Sequence, residues 1–387
     1  MHVSERELEL PKLEIGKLLE LAAEKPEVLN LGPGEPDFPL PKKLVQALAK
    51  LSKEKTINRY APPSGFLELR KAISEKLKKE NKIRHAEPER IVVTAGSQEA
   101  ILLASAATLC AAEGVLLPNP SFMGYFPTIE LLDALPIFFP VKEENGFEPR
   151  VEEIEKAILP KKTKAIILNS PANPTGNVIK KSTWEEIADI AVEHDLYIFS
   201  DEAYEKFVYD DAKHFSPASL NGMEEYVFTF QSFSKTFAMC GFRLGYALAP
   251  SVELAEAMSK EHIFSTICAP RISQLLALEA LKLGSNWINA TIKEYDKRRR
   301  FILKRLNEIG LSTPEPKGAF YAFSNIKKFE TNSKKFAYEL LKKAKVAVIP
   351  GVDFGTGGEG YIRLSYATSM QIIEKAMDKI EVFLKRY

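Results

Sequence analysis

A lysine flanked by hydroxyl side chains is the feature of this sequence that most clearly suggests chemistry. Lys235 follows Ser232 and Ser234 at the end of an apolar, strand-like run, and Arg243 lies eight positions later. A lysine amine is a nucleophile that can form a Schiff base with an aldehyde. Hydroxyls and the planar fork of an arginine are suited to holding a phosphate. The segment therefore predicts a site for an aldehyde that carries a phosphate.

Two more polar segments precede this lysine, and each also follows an apolar run. Asn173 lies in an Asn-Pro-Thr-Gly turn, and Asp201 and Tyr204 lie in the segment Ser-Asp-Glu-Ala-Tyr. A carboxylate such as Asp201, facing a pyridine nitrogen, keeps the ring protonated so that it can accept electrons. The adjacent Glu202 is interpreted as structural. Three polar segments at three strand ends indicate one shared cleft.

In this order, the three segments resemble the signature of the fold-type I pyridoxal-phosphate enzymes, specifically the class I and II aminotransferases. The resemblance runs from about Asn30 to the C-terminus. It implies pyridoxal 5'-phosphate as the cofactor, attached to Lys235, with Asp201 at the ring nitrogen and Asn173 at the ring oxygen and the substrate carboxylate. The further cofactor contacts that it implies are Gly96, Ser97, Gln98, Phe122, Tyr204, Ser232, Ser234 and Arg243.

Several of these residues have a second interpretation from the sequence alone. Ser97 could be an ordinary helix cap, although the resemblance implies that the N–H groups of Ser97 and Gln98 bind the cofactor phosphate at a helix start. Phe122 could fill the core instead of stacking on the ring. Arg363 lies inside an apolar strand, where an unpaired guanidinium is costly. It is either half of an internal ion pair or, as the resemblance implies, the fork that binds the substrate's α-carboxylate.

The resemblance also bears on assembly and on the N-terminal segment. Tyr60 is similar to the tyrosine that reaches the phosphate of a neighbouring subunit, which implies a homodimer with shared active sites. Gly34, or less favourably Gly32, is expected to offer a backbone N–H to the substrate. The expected activity is transfer of the amino group between an L-amino acid (aspartate, aromatic or a broad range) and a 2-oxo acid such as 2-oxoglutarate.

The choice of substrate stays open at this point. Arg271 has two interpretations: it binds a distal carboxylate, within its own chain or across the dimer, or it is a residue at a helix start that faces solvent. The apolar residues Leu13 and Ile15 near the N-terminus favour aromatic or other neutral amino acids. Two alternative functions are a pyridoxal-phosphate-dependent β C–S lyase and a non-catalytic effector-binding protein. The second is disfavoured because there is no room for an added DNA-binding domain ahead of Leu31.

Composition adds little about partners. The chain has 387 residues, 45% of them hydrophobic, and a formal net charge of +1, which gives no argument for a nucleic-acid or membrane partner. Cys110, Cys240 and Cys268 show no metal-ligand spacing, so no metal is expected, and they are interpreted as buried thiols. The N-terminus shows no signal peptide, and no apolar run approaches the roughly 20 residues of a spanning helix. We expect a soluble, cytoplasmic protein.

The order of short apolar runs predicts the fold. Near-continuous apolar runs alternate with helical segments up to about Ser273, which predicts an α/β fold with a mainly parallel central sheet covered on both faces. Charged helices and three further strand-like runs follow, which predict an α+β module. We therefore expect a large cofactor-binding domain over 46–275, and a small domain over 1–45 and 276–387 with a mobile N-terminal segment. The run Arg298-Arg299-Arg300 is interpreted as a solvated helix face.

Overall fold

The computed structural model describes residues 3–4, 7–8 and 10–387. In chain order its strands are β1 (Leu29–Asn30), β2 (Ile91–Thr94), β3 (Gly114–Asn119), β4 (Leu135–Pro140), β5 (Thr163–Asn169), β6 (Tyr197–Asp201), β7 (Val227–Ser232), β8 (Gly245–Leu248), β9 (Tyr321–Asn325), β10 (Val346–Ala347), β11 (Ile349–Pro350) and β12 (Tyr361–Ser365). Its helices are α1 (Glu14–Ala23), α2 (Lys42–Leu51), α3 (Leu67–Lys76), α4 (Ser97–Thr108), α5 (Tyr125–Glu130), α6 (Val151–Ala157), α7 (Lys181–Glu193), α8 (Phe233–Thr236), α9 (Val252–Ser265), α10 (Arg271–Leu281), α11 (Ser285–Glu308), α12 (Ser333–Ala344) and α13 (Met370–Leu384).

Seven strands form the central sheet, in the order β2-β8-β7-β6-β5-β3-β4. All its strand pairs are parallel except those of β8, which runs antiparallel to β2 and to β7. The predicted α/β fold with a mainly parallel sheet is therefore confirmed. Asn169, Asp201 and Ser232 are the last residues of β5, β6 and β7. Because these strands are parallel neighbours, the three residues lie at the same edge of the sheet.

Both faces of this sheet are buried, as continuous apolar runs predict. On β3, Leu116 packs into a core with Trp184 of α7, while its neighbours Val115 and Leu117 pack into a separate core with Ile101 of α4. Successive side chains point to opposite faces of a strand. Helices therefore cover the sheet on two sides, and the strand ends are left free to form a site.

A second module follows the long helix α11. Strands β11, β12 and β9 form an antiparallel sheet, and β1 pairs in parallel with β10. Its core joins Leu18 of α1 to Tyr295 of α11 and Ile373 of α13. The N-terminal helix thus packs with the C-terminal module, although the domain boundaries at 45/46 and 275/276 stay a prediction.

Two expectations about side-chain burial are wrong. Cys110 is exposed and Cys240 and Cys268 are half-buried, so the thiols are not core residues. In the predicted solvated run, Arg298 and Arg299 are buried, and only Arg300 is exposed as predicted. Arg299 forms ion pairs with Asp210, Asp296 and Glu315, and these pairs compensate its charge. Within the described residues no helix combines the length and the apolar character that crossing a membrane requires.

Candidate active site

One cavity at the carboxyl ends of β5, β6 and β7 brings the predicted residues together. Its volume is about 210 Å³. Most of the predicted cofactor and substrate residues line it: Gly34, Gly96, Ser97, Gln98, Phe122, Asn173, Asp201, Tyr204, Ser232, Ser234, Lys235, Arg243 and Arg363. The candidates Leu13, Gly32, Tyr60 and Arg271 do not line it. Ile15, which the sequence placed near the substrate, lines it as well. Binding at strand ends is the general arrangement of such sheets.

Lys235 is held by the short helix α8, which begins directly after β7. Ser232 caps this helix, because its hydroxyl accepts a hydrogen bond of 3.1 Å from the N–H of Ser234. The amine of Lys235 donates a 2.6 Å hydrogen bond to the carbonyl oxygen of Gly34 and lies over the ring of Tyr204. A Cβ atom at Gly34 would lie 2.5 Å from the hydroxyl oxygen of Tyr321, so this position has no room for a side chain.

Asp201 ends β6 and is buried. Its Oδ2 accepts a 2.6 Å hydrogen bond from the hydroxyl of Tyr125, and its Oδ1 accepts one of 3.1 Å from the N–H of Ala203. Burial raises the pKa of Asp201, and these two donors oppose that rise. Sequence reasoning missed Tyr125. No signal in the sequence singles it out, because Phe122 lies before the helix that begins at Tyr125 and Asp201 lies on another element.

Asn169 is a second residue that sequence reasoning missed. It ends β5 and is buried, and its side chain joins two site segments. Its Oδ1 accepts a 2.7 Å hydrogen bond from the N–H of Asn173, and its Nδ2 donates one of 2.9 Å to the carbonyl of Asp201. The turn that carries Asn173 is therefore fixed against the end of β6.

Arg363 lies in the middle of β12 and is 2% exposed. Its Nη1 donates to Oδ1 of Asn173 at 3.0 Å and its Nη2 donates to the carbonyl of Gly32 at 2.7 Å. Burial lowers the pKa of Arg363. In the described part of the chain it has no ion pair within 4.0 Å, and its buried Nε has no hydrogen-bond partner. The internal ion pair considered from the sequence is not found there, so the guanidinium keeps its capacity for an anion.

Backbone N–H groups and a guanidinium meet at the start of α4. The residue before the helix is Gly96, with φ of 98°, and Ser97 is the first helical residue rather than a capping side chain. A Cβ atom at Gly96 would lie 2.7 Å from Nη2 of Arg243, and one at Gly245 would lie 2.5 Å from the N of Ser97. Two glycines thus permit this close approach. A helix N-terminus with an adjacent arginine is suited to a phosphate.

These donors and acceptors fit pyridoxal phosphate. An amine, a buried carboxylate and a phosphate cradle open into the same cavity, and an aromatic side chain, Phe122, lies beside them. Sequence reasoning also missed Tyr321. Its hydroxyl forms a 2.7 Å hydrogen bond with the hydroxyl of Tyr204. Nothing in its strand, Tyr-Ala-Phe-Ser-Asn, singles this hydroxyl out.

Tyr60 and Arg271 lie outside the cavity. The side chain of Tyr60 is 74% exposed. The guanidinium of Arg271 donates to the carbonyl of Tyr60 at 3.3 Å and to the hydroxyl of Thr56 at 3.2 Å, and it stacks over the ring of Phe66. In the described chain Arg271 therefore contacts the segment that carries Tyr60 rather than facing only solvent.

Comparisons with known proteins place the chain in a family. The sequence model of the family described as aminotransferase class I and II matches residues 26–380. The chain is 47% identical to an aspartate aminotransferase of Pyrococcus abyssi over 96% of its own length and 95% of that protein's. It is 46% identical to aromatic-amino-acid aminotransferase 2 of Thermococcus litoralis over the same shares. The crystal structure of an aromatic aminotransferase from Pyrococcus horikoshii superposes with a TM-score of 0.90 at 45% identity, covering 95% of this chain and 99% of that one.

Proposed function

The chain belongs to the class I and II aminotransferases, which depend on pyridoxal phosphate, and from that premise we propose that it transfers the amino group of aromatic L-amino acids and aspartate to a 2-oxo acid such as 2-oxoglutarate. The observation that carries the proposal is the convergence of Lys235, Asp201 and Arg363 on one cavity. An amine, a carboxylate and an unpaired guanidinium are the groups that amino transfer requires.

Each of these side chains is assigned one task in the reaction. When bound, pyridoxal phosphate supplies an aldehyde that takes up the amino group and a ring that accepts the electron pair left on the α-carbon. The amine of Lys235 would remove the proton from the α-carbon and deliver it to the carbon that the aldehyde of the cofactor supplies, on the other side of the amino nitrogen. The carboxylate of Asp201 holds a proton on the ring nitrogen. The guanidinium of Arg363 binds the α-carboxylate with two N–H groups and so fixes the orientation of the α-carbon.

The remaining predicted residues hold the cofactor. We assign its phosphate to the N–H groups of Ser97 and Gln98 and to Arg243, with Ser232 and Ser234 supplying hydroxyls. Phe122 covers one face of the ring, and Asn173 and Tyr204 hydrogen-bond the ring oxygen. Gly34 offers its backbone to the substrate.

The lining of the cavity supports a preference for aromatic donors. Its cations are Lys235, Arg243 and Arg363, and each already has a task. Ile15, Phe122, Met123 and Tyr321 supply apolar and aromatic surface beside them. Among the described residues of one chain, a distal carboxylate thus meets no further cation in the cavity, whereas a ring finds apolar contacts. The solved relatives include a mutant of the Thermus thermophilus aspartate aminotransferase bound to tryptophan.

We also propose that two chains share their sites. Tyr60 is largely exposed, and its loop packs against the end of α9, where His262 Nδ1 lies 2.8 Å from the carbonyl oxygen of Pro63. The exposed side chains Ile263 and Phe264 at that helix end offer apolar surface for a second copy. We propose separately that the chain divides into one domain of residues 46–275 and a second domain of residues 1–45 and 276–387. The cytoplasmic location stays a prediction.

A spectral titration tests the proposed function. The protein loaded with pyridoxal phosphate is mixed with one amino acid at a time, without an oxo acid, and the loss of the cofactor's visible absorbance is followed. We expect phenylalanine and tyrosine to convert the cofactor at lower concentration than aspartate, with one equivalent of 2-oxo acid formed. The Lys235→Ala variant should not complete the conversion. Release of ammonia and pyruvate from cysteine conjugates without an acceptor would instead indicate a lyase.

A further inference from the structure

A buried polar cluster lies on the reverse side of the strand ends that form the cavity. It consists of Lys76, Asn81, Glu202, Glu205 and Gln231. Glu202 is 1% exposed, and Gln231, Asn81 and Glu205 are 4 to 8% exposed. Burying a group of this polarity costs free energy unless each member is hydrogen-bonded.

The cluster is closely hydrogen-bonded around Glu205. Oε2 of Glu205 accepts hydrogen bonds of 2.8 Å from Asn81 Nδ2 and from Gln231 Nε2, and Oε1 pairs with the amine of Lys76 at 2.5 Å. Lys76 also donates to the side-chain oxygens of Asn81 and Gln231. Burial alone would raise the pKa of Glu205, but the charge of Lys76 overrides it and holds that pKa well below its usual range.

Glu202 has its own set of donors. Its Oε2 accepts from Ser216 Oγ at 2.6 Å and lies 2.9 Å from His214 Nε2, while Gln231 Nε2 lies at 3.3 Å. Gln231 therefore joins the two glutamates. Glu202, Glu205 and His214 lie close enough together to hold a metal ion, but the amine of Lys76 already compensates Glu205.

Both glutamates and Gln231 are chain neighbours of cavity residues, whereas Asn81 and Lys76 come from a separate segment. Glu202 follows Asp201, Glu205 follows Tyr204, and Gln231 precedes Ser232. Successive residues of an extended chain point to opposite sides, which separates Gln231 from Ser232 on β7 and Glu202 from Asp201 at the end of β6. Tyr204 and Glu205 lie in a turn, and here too the tyrosine lines the cavity while the glutamate joins the cluster. Gln231 sits at the end of β7 and both glutamates follow β6, so their hydrogen bonds tie these two chain segments together behind the cavity.

Stability alone does not explain such a cluster. Replacing a buried ion pair by apolar side chains of similar volume is often neutral or stabilising, because the desolvation penalty of two charges offsets their attraction. Hydrogen bonds to charged groups are directional, however, and apolar contacts are not. The cluster therefore contributes geometry that an apolar core would not supply.

We propose that Glu205, Lys76 and Gln231 are positioning residues for the cofactor: through the buried polar cluster they fix Asp201, Tyr204 and Ser232 in the orientation that binds pyridoxal phosphate. This inference rests on the proposed roles of those three cavity residues. It goes beyond them because none of the cluster side chains lines the cavity.

The test compares an apolar replacement in the cluster with the same replacement on the surface. Lys76→Met/Glu205→Leu removes the buried pair, and Lys181→Met/Glu185→Leu removes an exposed pair on α7 as the matched control. For each protein, the dissociation constant of pyridoxal phosphate, the induced circular dichroism of its visible band and the melting temperature of the cofactor-free protein are measured. Circular dichroism reports the orientation of the bound ring, which a merely structural role would leave unchanged.

We expect the cluster variant to melt somewhat below the wild-type temperature, because the buried amides of Asn81 and Gln231 lose their hydrogen bonds to Lys76 and Glu205. It should bind the cofactor about tenfold more weakly, which corresponds to about 1.4 kcal/mol, and show a changed dichroic band. The control should match the wild type in both cofactor measurements. Gln231→Met provides a second variant that changes no charge, in case the double variant does not fold, and should weaken binding in the same direction. Wild-type affinity and dichroism in whichever of these variants folds would overturn the proposal.

These readouts separate this inference from the proposed substrates. A wild-type protein that binds the cofactor but accepts neither aromatic amino acids nor aspartate would contradict the proposed function. The comparison of cofactor binding between variants and wild type would still decide the role of the cluster.

Discussion

The hydroxyl of Tyr125 donates a 2.6 Å hydrogen bond to Oδ2 of Asp201, and both side chains are buried. Asp201 performs its proposed task only as a carboxylate. Burial raises its pKa, and the hydroxyl of Tyr125 is the largest of the influences that oppose the rise. The pair thus links a residue at the start of α5 to the ionisation of the site.

Tyr125→Phe should lower kcat/KM and shift its acidic limb. Without the hydroxyl, the pKa of Asp201 rises further, so the carboxylate is lost at a higher pH as the solution is acidified. The acidic limb of the kcat/KM profile therefore moves to higher pH. Near pH 7 we expect a fall of about tenfold, since a hydrogen bond to a charged group contributes roughly 1.5 kcal/mol or more.

Tyr197→Phe is the matched control, because Tyr197 begins the same strand that Asp201 ends. Its profile should follow the wild type. An acidic limb that stays in place in Tyr125→Phe would show that the hydroxyl does not act on Asp201.

Arg363→Lys should raise KM for every amino donor. A lysine keeps the charge but cannot donate two parallel N–H groups to a carboxylate. Loss of one charge-assisted hydrogen bond of up to about 3 kcal/mol predicts a fall of roughly 100-fold in kcat/KM. Steady-state kinetics with two amino donors measure the change in KM. A direct measurement of cofactor affinity completes the test, because that affinity should equal the wild-type value.

Arg300→Lys serves as its control, since Arg300 is an exposed arginine that pairs with Asp210 and Asp296. If Arg363→Lys weakened cofactor binding and left KM alone, the guanidinium would belong to the cofactor and not to the substrate.

Sequence reasoning predicted the location of a residue where its chemistry and its position at a strand end coincide. Lys235, Asp201 and Asn173 each follow an apolar run, so the parallel sheet places them at one edge. It could not find Tyr125 or Tyr321, because each acts through a partner from another element that only the tertiary fold brings near. These tyrosines look like core residues in the sequence.

The buried arginines also depend on partners that are distant in sequence, and for that reason their burial was not predicted. A run of three arginines on a helix favours a solvated face, yet Arg298 pairs with Asp37 and Arg299 with Asp210, both far away in sequence. A run of charges predicts exposure because burying an unpaired charge is costly. The carboxylates that compensate these arginines are distant in sequence, and only the fold brings them close.

Arg271→Gln distinguishes support of the Tyr60 loop from recognition of a distal carboxylate. The guanidinium holds the carbonyl of Tyr60 and the hydroxyl of Thr56. The substitution should therefore reduce kcat/KM for aspartate and for phenylalanine alike. The two reductions should agree with each other to within about twofold. Kinetics with both donors measure the ratio. A selective loss of aspartate activity, tenfold or more, would assign Arg271 to the substrate instead.

Asp353→Asn should loosen the N-terminal helix that brings Ile15 to the cavity. Oδ1 of Asp353 accepts from the N–H of Glu14 at 3.1 Å, and Oδ2 accepts from the N–H of Ile15 at 2.8 Å. Leu13, at the cap position of α1, supplies no side-chain hydrogen bond, so the carboxylate satisfies the free N–H groups and also interacts favourably with the helix dipole.

An asparagine offers one oxygen and no charge, and losses at helix caps are typically about 1 kcal/mol. We expect KM for phenylalanine to rise about fivefold, cofactor affinity to stay at the wild-type value, and proteolysis near α1 to become faster. Asp189→Asn, at an exposed position of α7, is the control and should change none of the three. Unchanged proteolysis together with an unchanged KM would show that the first turn of α1 holds Ile15 in place without Asp353.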